Sequence, residues 1–164
     1  MASRDDNGPI SGLDISLSQT STSPPKITVK VTNNNDGPAT FLSYGSPLDK
    51  LALQLGLLSI TPAGADSPLD LPIIQVRRVW PPTKDLLITI QAGGSDSNEI
   101  ELKAPIITKE KVGSSAHVVL KGEWGAVWGK DKDDIDDSSL KDIGSSPDVS
   151  KGKYQSPELE ISLE

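Results

Sequence analysis

Apolar and polar positions alternate one by one along much of this chain. Leu13, Ile15 and Leu17 alternate with Asp14, Ser16 and Ser18, and Ile27, Val29 and Val31 alternate with Thr28, Lys30 and Thr32. A period of two puts every second side chain on one face, which is the pattern of a half-buried strand. The turn cluster Ser18–Pro25 between these runs makes a hairpin of them, and Asn33-Asn34-Asn35-Asp36-Gly37-Pro38 ends the second. Ala39–Tyr44 reads as a third strand. Ser46-Pro47-Leu48-Asp49 has a helix-start pattern, with Ser as cap and Pro in the first turn. Leu51, Leu53, Leu55 and Leu57 then share a strand face, so the expectation is a helical turn followed by a strand through Ile60.

Further on, Leu71–Val79 is a mixed apolar run containing Arg77 and Arg78. Leu86–Ile90 and Ile100–Leu102 flank the turn Ala92-Gly93-Gly94-Ser95-Asp96. Ala116–Leu120 reads as another strand, with a continuation to Trp128 as the alternative, and Leu159, Ile161 and Leu163 form the last. Residues 129–151 are polar and rich in Gly, Ser, Asp and Lys, and read as a long mobile loop. About eight or nine short strands with regular turns predict an all-β, antiparallel β-sandwich with little helix. The core expected from these alternations is Leu13, Ile15, Leu17, Ile27, Val29, Val31, Ile88, Ile90, Val119, Leu159 and Ile161. Residues 1–11 read as a flexible lead-in and 12–164 as one domain. Met1-Ala2-Ser3 and Leu163-Glu164 have the look of vector residues.

Composition narrows the function classes. The 164 residues include 14 Gly and 13 Pro, and a single Phe and two Tyr leave Leu, Ile and Val to fill the core. The net charge of -7 argues against nucleic acid and against an anionic membrane surface. No apolar run reaches the roughly 20 residues that span a bilayer as a helix. The chain has no Cys and no Asn-x-Ser/Thr sequon, which together favour a reducing, cytoplasmic setting.

Catalytic side chains are scarce. His117 is the only His, so two-His zinc motifs are impossible, and its strand context with no Gly-x-Ser-x-Gly turn speaks against a Ser–His–acid triad. The acidic run Asp131–Asp137 fails as a calcium loop, because Asp136 stands where Gly is required and no Glu closes the loop. No cofactor, metal or catalytic residue is therefore assigned. Trp80, Trp124 and Trp128 are the candidate binding residues. On a continuous strand Trp124 and Trp128 share a face about 13 Å apart. Exposed, they would stack on sugars or on a protein partner; buried, they would supply the large rings the core otherwise lacks. An enzyme working with carboxylates alone, through Asp49 or Glu123, is a third alternative.

The ordered segments resemble the Ig-like pro-domain of fungal deuterolysin-type zinc metalloproteases and related free-standing fungal proteins. The resemblance is carried by Leu13-Asp14-Ile15-Ser16-Leu17, Ile27–Thr32 with Asn33-Asn34-Asn35, and Phe41–Asp49 with its Ser-Pro-Leu-Asp turn. It continues through Arg77-Arg78, Leu87-Ile88-Thr89-Ile90, Ala92-Gly93-Gly94-Ser95 and Gly152-Lys153-Tyr154-Gln155-Ser156. It implies an Ig-like sandwich of fungal origin, secreted if it derives from a precursor. The protease half, with its His-Glu-x-x-His motif, is absent. The implied role is a folding helper, a protease inhibitor or a stand-alone binding protein. The expected contact is a protein partner, or a second copy, at an edge strand; Leu13–Gln19 and Leu159–Leu163 are the candidates.

Overall fold

In the computed structural model, residues 9–22, 24–71, 73, 74, 76, 78, 81–102, 107–141, 143 and 149–163 are described. Among these residues nine strands follow in chain order: β1 (Leu13–Thr22), β2 (Pro25–Asn33), β3 (Ala39–Leu42), β4 (Leu58–Pro62), β5 (Leu87–Ile90), β6 (Ser95–Glu101), β7 (Ser115–Trp128), β8 (Ser150–Gln155) and β9 (Leu159–Ser162). Two short helices, α1 (Lys109–Val112) and α2 (Asp137–Lys141), interrupt them. All pairings are antiparallel. One sheet has the order β1-β2-β6. The other runs β4-β7-β3-β5, with β8 and β9 also paired to β7. The all-β sandwich expected from the alternation is the observed architecture.

β7 organises the larger sheet. Val118 pairs with Ile60 of β4 on one side and Leu159 of β9 on the other, and Val127 likewise lies between Phe41 of β3 and Ser150 of β8. β8 passes into β9 at a bend where Ser156 replaces a missing backbone acceptor. Its Oγ accepts the Leu120 N–H at 2.9 Å, and its own N–H reaches the Leu120 carbonyl. β8 is the strand that the sequence hides, because Ser-Lys-Gly-Lys-Tyr-Gln has one apolar residue and no alternation to read. Gly122, opposite Tyr154 in the register, is required here, since a Cβ would sit 2.8 Å from the tyrosine hydroxyl oxygen.

The main core lies between the sheets. Ile27, Val29 and Val31 of β2 meet Phe41, Ile60, Val118, Leu120 and Ile161 of the other sheet, all nearly inaccessible. Ile15, Leu17, Ile88 and Leu159 are only partly buried against it. Val119 corrects the expected core by one residue. Ala116, Val118 and Leu120 point inward, while Val119 and His117 are half-exposed on the opposite parity. His117-Val118-Val119-Leu120 contains no polar alternation, so its sequence gives no parity.

Two further expectations change. Residues 43–57 make successive turns, closed by Ala52 N–H to Asp49 O and Leu55 N–H to Leu51 O. Gly56 ends them at φ 79°, so no strand forms before Leu58. The turn at 92–94 joins strands of different sheets. Buried Asn33 fixes that corner by donating to the carbonyls of Ile90 and Gly37. Within the mixed apolar run Leu71–Val79 the described residues lie in no strand, and Pro72, Gln75, Arg77 and Val79 lie outside the described residues.

The stretch 129–151 is not simply a loop. Its described part, 129–141, Ile143 and 149–151, includes a 3-10 turn (Lys132–Asp134), α2 and the start of β8. Ile135, Leu140 and Ile143 bury onto Leu42, Leu87, Ala126 and Trp128, forming a second core on the outer face of the larger sheet. Asp131 caps the turn by accepting the Asp133 N–H. Thr40 and Thr89, hydrogen-bonded to each other at 2.7 Å, hold the Lys130 carbonyl and the Lys132 N–H. Three apolar anchors widely spaced among Asp and Ser are too few for a periodicity argument, yet enough to seat a small lid.

Candidate functional site

The three candidate tryptophans do not form one surface. Trp124 and Trp128 are 2% and 0% exposed, so neither ring is offered to a ligand. They also face opposite ways. The β7–β8 register slips between Trp124 and Val127, and this irregularity reverses the parity of the strand. Trp124 enters the main core, edge-on to Phe41 at 4.9 Å and tilted against Tyr154 at 5.3 Å. Each such ring pair contributes about 0.5–1.5 kcal/mol beyond area burial. Trp128 enters the second core, and its indole N–H meets no acceptor there among the described residues. Trp80 lies outside the described residues.

The acids are likewise engaged. Asp49 is 3% exposed, and its carboxylate accepts the N–H of Gly45 at 2.7 Å, that of Leu51 at 3.0 Å and Nη2 of Arg78 at 2.8 Å. Arg78 in turn lies over the Tyr44 ring, 4.6 Å from its centroid. Tyr154 donates to the Gly45 carbonyl at 2.6 Å. Its hydroxyl is held protonated well above the usual tyrosine range, first by burial and then by the negative charge of Asp49. The Ser-Pro-Leu-Asp turn and Arg78 are thus two halves of one structural clamp. Glu123 is exposed on β7. Among the described residues no three His, Cys, Asp or Glu side chains converge as metal ligands.

Among the described residues β1 leaves an open edge. In the β1–β2 ladder the Gly12 carbonyl accepts the Asn34 N–H, and the register pairs Asp14 with Thr32, Ser16 with Lys30 and Ser18 with Thr28. Antiparallel alternation gives these even-numbered residues the bonds to β2. It leaves the N–H and C=O groups of Leu13, Ile15 and Leu17 pointing away from the sheet. Their side chains turn inward, and Ile15 and Leu17 are only partly covered. Beside this edge lies a groove of about 570 Å³, with Trp124, Tyr154, Leu13 and Ile15 in its wall and Lys153 and Gln155 at its rim.

Two other edges differ. β9 presents the backbone of Ser162 outward, and the Gln19 carboxamide takes both groups, donating to the Ser162 carbonyl at 2.7 Å and accepting its N–H at 2.9 Å. β6 carries Asp96, Glu99 and Glu101 within seven residues, a charge density that discourages strand addition. Of the two terminal strands expected at an edge, β1 is open and β9 is closed at Ser162. Gln19 is the edge-closing residue that sequence reasoning passes over. Its signal was present, since it takes the inward position of β1 where the alternation calls for an apolar residue.

A family model described as immunoglobulin-like domain matches residues 12–163. An "Uncharacterized secreted protein" of Arthroderma benhamiae is 33% identical over 122 residues, which cover 74% of this chain and 61% of that relative. The chain therefore spans less than two thirds of the relative's length.

Proposed function

Because the chain belongs to the immunoglobulin-like domain family, we propose that it is a non-catalytic protein-interaction domain that accepts an extended partner strand on β1. The observation that carries this reading is a contrast among edges: among the described residues β1 leaves three residues' backbone groups unpaired beside a groove, whereas β9 is capped by Gln19 at Ser162 and β6 is guarded by acids. Strand addition uses main-chain hydrogen bonds for affinity and alternate side chains for selectivity. An incoming strand paired with Leu13, Ile15 and Leu17 directs every second side chain toward the groove, so it would be apolar at alternate positions. The resemblance to metalloprotease pro-domains extends the reading to a folding helper or inhibitor whose edge docks on a protease. The secreted relative supports a setting outside the cell. Burial of Trp124 and Trp128 weighs against the carbohydrate alternative, and the engagement of Asp49 against a carboxylate enzyme.

The test uses synthetic peptides with alternating Thr and Val, titrated into the labelled chain and followed by NMR. The expected result is shift changes and slowed amide exchange at Leu13, Ile15 and Leu17. Shifts confined to other surfaces, or none, defeat the edge reading. A parallel assay adds the chain to a deuterolysin-type zinc protease; an unchanged rate removes the inhibitor role.

A further inference from the structure

We infer that the strand accepted by this edge is β1 of a second copy, paired antiparallel across a two-fold axis at Ile15. The inference rests on the edge-binding reading above and names its occupant. β1 is complementary to itself. With Ile15 on the axis, Leu13 faces Leu17 of the other copy, Ile15 faces Ile15, and Leu17 faces Leu13. These are the residues whose backbone groups point outward, so each facing pair is a hydrogen-bonded one, giving about six new bonds. The two three-stranded sheets become one sheet of six. All six side chains in the new ladder are apolar and point to the core side, where Ile15 and Leu17 of each copy are incompletely covered.

Charge selects the occupant too. β1 carries one acid in ten residues, Asp14, and the Ile15 register places it opposite Ser16 of the other copy, so no like charges meet. Shifting the axis to Asp14 would set the two Asp14 carboxylates face to face, which strand pairing disfavours. β6 carries three acids in seven residues against one in the ten of β1, so it is the poorer surface for a second acidic chain. The Gln19 clip and the irregularity between Gln19 and Ser21 end the available ladder on one side. A molecule of net charge -7 repels its copy at long range, so raised salt should tighten the pairing.

Ser16 provides the test, because its side chain is exposed and faces Lys30 within the monomer. Ser16→Lys creates two Lys–Asp14 pairs across the axis, and Ser16→Asp creates two Asp–Asp14 pairs. Sedimentation velocity from micromolar to millimolar chain should show a dimer whose dissociation constant falls in Ser16→Lys and rises in Ser16→Asp, by roughly 2- to 30-fold each. Monomer stability, measured at high dilution, should move the opposite way, since Lys30 repels a lysine at 16 and attracts an aspartate. Dimer-dependent exchange protection should appear at the Leu13, Ile15 and Leu17 amides. A chain that stays monomeric at millimolar concentration overturns the inference. If alternating peptides still perturb β1, the edge-binding reading survives it. A dimer unmoved by both variants, or loosened by both, also overturns the Ile15-centred pairing.

Discussion

Asp49→Ala should be among the most damaging single changes outside the hydrophobic core. It removes a carboxylate that is 3% exposed and three of its bonds together, to the N–H groups of Gly45 and Leu51 and to Arg78. The two N–H groups lose their acceptor at part-buried positions, at about 1–3 kcal/mol each when water cannot replace it. Arg78 loses its counter-charge, but its side chain remains 24% exposed and can rehydrate, so its share is discounted. The sum falls at about 3–5 kcal/mol. Arg78→Met leaves Asp49 its two backbone donors and should cost about 1–2 kcal/mol. The two sites share one network, so the double variant should cost less than the sum, with a coupling of about 1 kcal/mol. Urea unfolding followed by tryptophan fluorescence measures all three, with the midpoint falling and the slope unchanged. An Asp49→Ala loss below about 1 kcal/mol, or strict additivity, would refute the clamp and leave the turns at 43–57 to be held by Leu48, Ala52 and Leu53 alone.

Other outcomes are open to simple measurement. Val29→Ala and Ile90→Ala, at 0% and 3% exposure, should each lose about 2–4 kcal/mol in the same unfolding assay. Asp131 is held below its ordinary 3.8, first by the Asp133 N–H and then by Gln91. The stability it supplies is therefore complete above pH 3.8 and is lost as pH falls through its lower folded value. Acidification should speed pepsin cleavage within 130–141 before the sandwich unfolds. Tyr154 has the opposite sense. Its folded value is raised above the ordinary 10.0, so its contribution is complete below pH 10 and drains as pH rises, and its ultraviolet ionisation signal should coincide with alkaline unfolding. At neutral pH, trypsin should cut slowly after Lys132, and Ile135→Asp, which puts a charge at a site 1% exposed, should expose that bond.

The fold was legible where alternation is clean. Leu13–Leu17 and Ile27–Val31 each carry one polar residue between apolar ones, and both appear as strands with the predicted inward faces. Ile27, Val29 and Val31 are fully buried there because β2 lies between β1 and β6. Legibility failed where the face had no contrast, as at Val119, or where pairing rather than burial makes the strand, as in β8. The parity of Trp124 and Trp128 depends on a register slip among Gly125, Ala126 and Val127, and glycine-bearing sequence marks where a bulge is tolerated without saying that one forms.

The candidate site was legible only as a category, an edge strand, because a sequence shows which way side chains point but not which neighbour the backbone faces. In β1 these two directions are locked together. The residues that bury their side chains, Leu13, Ile15 and Leu17, are the same ones that turn their N–H and C=O groups outward, whereas Ser16 bonds to β2. A proline at Ser16 would therefore break the hairpin, and one at Ile15 would block the edge and empty part of the core together. A proline at Ser162 would remove the N–H that Gln19 holds and so alter an edge already closed. Only a side-chain change on the solvent face, where Ser16 meets Lys30 inside one copy and Asp14 across the proposed axis, separates binding from folding. It does so because the two neighbours carry opposite charge.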